Sequence, residues 1–142
     1  MMRWLPFAAV ATVALALADF FIKQASNKIS NSLALLVYGM CTFVVGLAWV
    51  IGAGWSRTPM FAQREGIGWA IAVGLAFSAV TVGLYLTFSA GASLSIASPA
   101  IRITALLITA ALGILVLREP INLRYTVGMA LAIAGLGLII FK

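Results

Sequence analysis

Charge is the scarcest property of this sequence. Only 8% of its 142 residues are charged, against about 25% in a soluble domain, and just three of them are acidic. That is too little polar surface to coat a globule in water, which excludes an ordinary soluble fold. Histidine is absent, and with it the commonest acid–base and metal-ligating side chain. The single cysteine, Cys41, lies inside an apolar run, so neither a disulfide framework nor a thiolate metal set can be drawn. There is no nucleophile–base pair, phosphate-cradling loop or metal-ligand spacing. The chain therefore does not read as an enzyme, and no cofactor or metal is implied. The net charge of +6 would suggest nucleic acid in a soluble protein. Here the nine basic residues lie almost entirely in short connectors, where they set topology and meet lipid headgroups. No nucleic-acid partner is expected.

What remains is apolar. Hydrophobic residues make up 64% of the chain and the mean hydropathy is +1.17, so the expected solvent is a lipid bilayer. Five runs are long enough to span it, at about 20 residues each: residues 4–22, 33–54, 67–88, 97–118 and 123–141. The expected fold is an all-α integral membrane protein of five transmembrane helices, with residues 1–142 forming one domain. The first run also has the look of a signal peptide, with Arg3, an apolar core and Ala16-Leu17-Ala18; it is read here as helix 1. In it Asp19 precedes Lys23 by four residues, a pairing that helices favour. Trp49 and Trp55 suit an interfacial belt at the end of helix 2. The linker holding Arg57, Pro59, Arg64 and Glu65 belongs outside the bilayer. Helix 3 carries Gly74, Ser78, Ala79 and Gly83, spaced for close helix approach. The uncharged turn SAGASLSIAS follows, and Glu119-Pro120 is expected to stop helix 4.

An odd number of spans puts the termini on opposite sides. Arg3, Arg57, Arg64, Arg118 and Arg124 then share the N-terminal side, and Lys23, Lys28 and Lys142 the other. This excess of five to three is a small bias toward an N-terminus in the cytoplasm of a cell whose inner membrane holds the protein, and it leaves both orientations in one membrane open.

The run from Ala97 to Arg118, ASPAIRITALLITAALGILVLR, has fifteen uncharged residues after Arg102. A guanidinium costs about 2.5–3.5 kcal/mol at mid-helix on insertion scales. Two environments can repay that cost: lipid phosphate reached by snorkelling, or a polar cavity. Helix 1 ends and helix 4 begins on one side, so Asp19 and Arg102 lie at similar depth and can pair if their helices are neighbours. Tyr38, Tyr85 and Thr104 are the remaining candidate wall residues, though each tyrosine also suits a core position with one hydrogen bond. Ser78, Thr81, Thr104 and Thr109 can bond their own helix backbone instead. Gly128, Ala132 and Gly135 form a small-residue stripe on helix 5, for packing inside the unit or across a dimer.

The tract LYLTFSAGASLSIASPAIRITALLITAALGILVLREPINLRYTVGMALAIAGLGLIIF, from Leu84 on, combines an aromatic-rich helix end, a Ser/Ala turn and a proline opening the next helix. A Glu-Pro stop and a Gly/Ala-rich last helix complete it. With the looser ALADFFIKQASNKISNSLALLVYG near the start, the chain resembles a single five-helix EamA-type unit of the drug/metabolite transporter superfamily. Larger members carry two such units in inverted orientation around a substrate site. The resemblance implies a secondary transporter of a small polar or amphipathic metabolite, working as a homodimer by alternating access. It implies Arg102 as the anion-facing or gating charge, Asp19 as its partner, and Tyr38 and Tyr85 as wall residues. The four-helix small multidrug resistance proteins of that superfamily carry a glutamate in mid-helix 1; here helix 1 has only Asp19, near its end. The alternatives are a translocator of a lipid-linked or amphipathic anion, and a non-transporting accessory subunit.

If Arg102 and Asp19 pair in the membrane, Arg102→Ala should lower the unfolding temperature in detergent more than the double change Arg102→Ala/Asp19→Ala, because the single change strands a charge. Single changes that are silent and additive would make Arg102 a snorkelling residue.

Overall fold

The computed structural model describes residues 4–56, 59 and 61–140. Among them the chain is all-helical, with α1 (Leu5–Ala25), α2 (Asn31–Trp55), α3 (Arg64–Ser89), α4 (Leu94–Leu115) and α5 (Leu123–Ile140). All five are long and apolar enough to cross a membrane. Arg3, Arg57 and Lys142, which enter the charge count for orientation, lie outside the described residues. The helices gather into two compact units, Met1–Ala90 and Gly91–Lys142.

In unit 1, α3 packs against both α1 and α2. Its contact face follows the helical repeat: Thr81, Leu84 and Phe88 are buried, with Ser78 and Tyr85 half-buried beside them. Facing them, α1 contributes Asp19 and, just past its end, Ser26, both buried, with Ile22 and Lys23 half-covered between. The α1–α2 connection is a type II turn. Ser26 is extended (φ −55°, ψ 137°), Asn27 takes the left-handed region at φ 64°, and the Lys28 N–H donates to the Ala25 carbonyl at 3.0 Å. Asparagine suits that position because it tolerates a positive φ. At the same end the Ser89 hydroxyl donates to Asn31 Oδ1 at 3.4 Å, tying α3 to α2.

Unit 2 is an antiparallel hairpin of α4 on α5. Asn122 caps α5: its Oδ1 accepts from the Tyr125 N–H at 2.8 Å, satisfying a donor the helix start would otherwise leave open. Both boundaries of helix 4 differ from the sequence reading by three residues. Helix 4 starts at Leu94, not 97, because Ser93 is already extended (φ −75°, ψ 139°) and acts as the cap residue. Part of the Ser/Ala turn is thus helical, and Pro99 lies inside the helix. Lacking an N–H, Pro99 cannot bond the Ser95 carbonyl one turn back. The helix also stops at Leu115, ahead of Glu119-Pro120. The Leu112 carbonyl takes the Leu117 N–H, the Gly113 carbonyl takes the Glu119 N–H, and Arg118 turns left-handed at φ 54°.

Burial runs opposite to that of a protein folded in water, where large apolar side chains go inside. Trp55 is 88% exposed and Leu138 82%, while Asp19 is 2% exposed. Among the described residues only Asp19, Ser26, Ala34, Thr81, Leu84 and Phe88 are buried. All six lie in unit 1, where α1 ends, α2 begins and α3 ends. Phe88 is fully enclosed, so Phe88→Ala should cost about 3–5 kcal/mol of stability, measured by reversible unfolding in mixed micelles. A loss below about 1 kcal/mol would mean the cluster collapses without penalty.

Candidate functional site

The α2–α3 pairing leaves a groove of about 440 Å³ part-way along the two helices, within the range of about 300–1,000 Å³ typical of small-molecule sites. Leu35, Tyr38, Gly39 and Thr42 line it from α2, and Val73, Gly74, Phe77 and Ser78 from α3. Each set recurs at three and four residues, so each forms one stripe of its helix. At Gly39 and Gly74 there is open space: a methyl group added at either would meet no heavy atom within 4 Å.

The groove's polar chemistry is set by back-bonding to the helices. Ser78 Oγ donates to the Gly74 carbonyl at 2.9 Å. Thr42 Oγ1 lies within bonding distance of two carbonyls, Tyr38 at 3.1 Å and Gly39 at 2.9 Å. A hydroxyl that has given its one proton to the backbone keeps oxygen lone pairs for a ligand, so Thr42 and Ser78 offer acceptors. Tyr38, half-buried, brings a phenolic group that can donate, and Phe77 supplies an aromatic wall. The surface is amphipathic and uncharged.

The other expected site residues fall elsewhere. Tyr85 is half-buried on the packing face of α3, beside Leu84. Asp19 is buried in unit 1, nearer the end of α1 than its middle. In unit 2, Arg102 is half-buried, whereas Thr104 is exposed and lines a shallow surface with Ala100, Ile101, Ala105 and Ile108. Two residues apart on a helix, Arg102 and Thr104 point about 200° apart. Arg102 is also deeper than the sequence suggested. With Leu94 first, residue 102 is the ninth of the helix, about 12 Å from its start at ~1.5 Å per residue, where one turn had been expected. On α5, Ala132 and Gly135 are half-buried and Gly128 is exposed. A methyl group added at Gly128 or Gly135 would meet no heavy atom within 4 Å.

Sequence reasoning passed over Thr42 and Phe77. Their signal was present as the spacing Leu35-Tyr38-Gly39-Thr42 and Val73-Gly74-Phe77-Ser78, two matching stripes on consecutive helices. It also passed over Phe88, whose ring carries the Lys23 ammonium at 5.6 Å from its centroid. Comparison with family models, with curated proteins and with solved structures finds no match to this chain.

Because the space over Gly39 and Gly74 is open, Gly39→Ala and Gly74→Ala should each fold as the parent does. Each is expected to gain up to about 1 kcal/mol from better helix propensity, measured by the same micellar unfolding. A loss of stability at either would show that the groove closes on its glycine.

Proposed function

We propose that this chain is an integral membrane protein and a secondary transporter. It carries a small polar or amphipathic metabolite by alternating access, as a homodimer of single EamA-like units in a cell's inner membrane. The observation that carries the reading is the α2–α3 groove, an amphipathic recess of about 440 Å³ bordered by Tyr38 and back-bonded hydroxyls. It opens between helices whose outer surfaces are apolar almost throughout. A recess with hydroxyl acceptors and a phenol can seat a ligand with a polar group. Arg102, well inside α4, supplies a charge whose position is expensive in lipid and therefore marks a functional place in a membrane-spanning helix.

The homodimer follows from economy of enclosure. Five helices surround too little volume to close over a substrate on both sides, and two-unit transporters use both halves to alternate access. The exposed Gly128 on α5, where an added methyl group would meet no heavy atom within 4 Å, leaves room for a second copy's helix backbone to approach closely.

Counterflow of candidate metabolites in liposomes containing only this protein is the test. Flux should fall at least about tenfold, the equivalent of ~1.4 kcal/mol of lost contact, when Gly74→Leu fills the groove, and should largely survive Gly74→Ala. Gly74→Leu protein that is folded and transports normally would remove the groove from the pathway. Protein that moves no solute alone but raises the yield of a co-expressed membrane partner would be an accessory subunit.

A further inference from the structure

The two walls of the α2–α3 groove are in register. The helices run antiparallel and are tied where α2 begins and α3 ends, by the Ser89 hydroxyl on Asn31 Oδ1 at 3.4 Å. Thr42 lies eleven residues beyond Asn31, and Ser78 eleven residues before Ser89. At ~1.5 Å per residue, each therefore stands ~16.5 Å from that tie. The groove thus has two hydroxyl groups at one level, Thr42 on the α2 wall and Ser78 on the α3 wall. Both protons are directed into the helices. Thr42 Oγ1 is 2.9 Å from the Gly39 carbonyl, and Ser78 Oγ is 2.9 Å from that of Gly74. Each oxygen keeps its lone pairs and has no proton to give outward. Phe77, next to Ser78 and 51% exposed, turns an aromatic surface to the same recess. Among the described residues that line it, none is charged.

We propose that the groove selects an uncharged ligand bearing a primary carboxamide, whose two N–H groups serve the level acceptors of Thr42 and Ser78. Two acceptors without an outward proton call for a ligand that brings two donors. A carboxylate brings none for them, and an alcohol brings one. An ammonium has donors, but its charge would enter a recess without a counter-charge, and an unpaired charge away from water is strongly disfavoured. A carboxamide nitrogen is neutral and carries two N–H donors, one for each wall. The apolar or aromatic body attached to it then lies along Phe77, beside the Ser78 oxygen. This names the polar group of the metabolite in the transport reading. It rests on that reading only for passage across the membrane, since binding needs the groove alone.

The test measures binding to the full chain in lipid nanodiscs, by equilibrium dialysis of radiolabelled benzamide with empty nanodiscs as the blank. Benzamide should bind saturably above the blank. N,N-Dimethylbenzamide keeps the ring and carbonyl but has no N–H, and should compete at least about fivefold less well through the loss of two hydrogen bonds. Benzoate and benzylamine, which are charged, should compete at least about tenfold less well. Thr42→Val and Ser78→Ala should each weaken benzamide binding about two- to tenfold. Thr12→Val, which removes a back-bonded hydroxyl from α1, should leave it unchanged. The proposal is overturned by an absence of saturable binding, or by a dimethyl or charged analogue that competes as well as benzamide. A Kd that either groove substitution leaves unchanged overturns it equally. The ligand series uses the parent protein, so it decides even where a substitution prevents folding. Counterflow in liposomes is scored separately: benzamide binding in the expected pattern without flux of any solute sinks the transport reading and keeps the site, and flux without benzamide binding does the reverse.

Discussion

Everything in this structure depends on satisfying polar groups inside the chain. Charged residues are only 8% of the sequence, and the α-helix is the form in which an apolar segment completes its own backbone hydrogen bonds. The same economy extends to side chains. Thr12, Ser56, Ser78, Thr81 and Thr87 each donate a hydroxyl proton to the carbonyl one turn earlier. No buried side-chain nitrogen or oxygen among the described residues lacks a hydrogen-bond partner. Once each helix is self-sufficient, its outer face is free to be apolar, and the few polar side chains can be kept for places where helices meet.

Those places differ between the two units. Unit 1 concentrates all its buried residues at one end and leaves the rest of its helices in looser contact, with the α2–α3 groove between them. Unit 2 is a plain hairpin in which half-buried residues recur along α4 at Ile103, Leu107, Ala110 and Ile114, and along α5 at Met129, Ala132, Gly135 and Ile139. Anchoring at one end and looseness elsewhere is the distribution expected of an element whose low-stability portion carries function.

The five helices were legible in the sequence because their signal is additive: about twenty apolar residues in a row outweigh any single exception. Their ends were less so. Pro99 reads as a helix opener, but the left-handed Gly91 (φ 94°) and the extended Ser93 had already turned the chain, and Pro99's φ is compatible with a helix that begins before it. Glu119-Pro120 reads as a stop, yet α4 ended sooner, through carbonyl bonds to Leu117 and Glu119 that no residue type announces. Of the candidate site, Tyr38 was legible as a polar aromatic in an apolar run. Thr42 and Phe77 were not, because they matter only once α2 and α3 are set in antiparallel register. The division into two units was illegible for a related reason. It depends on which helices touch, and the hydropathy of α1 to α5 is too uniform to say.

Pro99 gives the chain a mechanical property. Between Gly91 and Pro99 the backbone passes from a left-handed turn to a helix start whose Ser95 carbonyl cannot be bonded by residue 99. This stretch opens unit 2, directly after Ala90 ends unit 1. Pulled along its axis, an α-helix resists through hydrogen bonds that share the load, and here one of the first to bear it is missing. Under tension the first turns of α4 therefore yield sooner than the rest of that helix, which makes its head a built-in weak link.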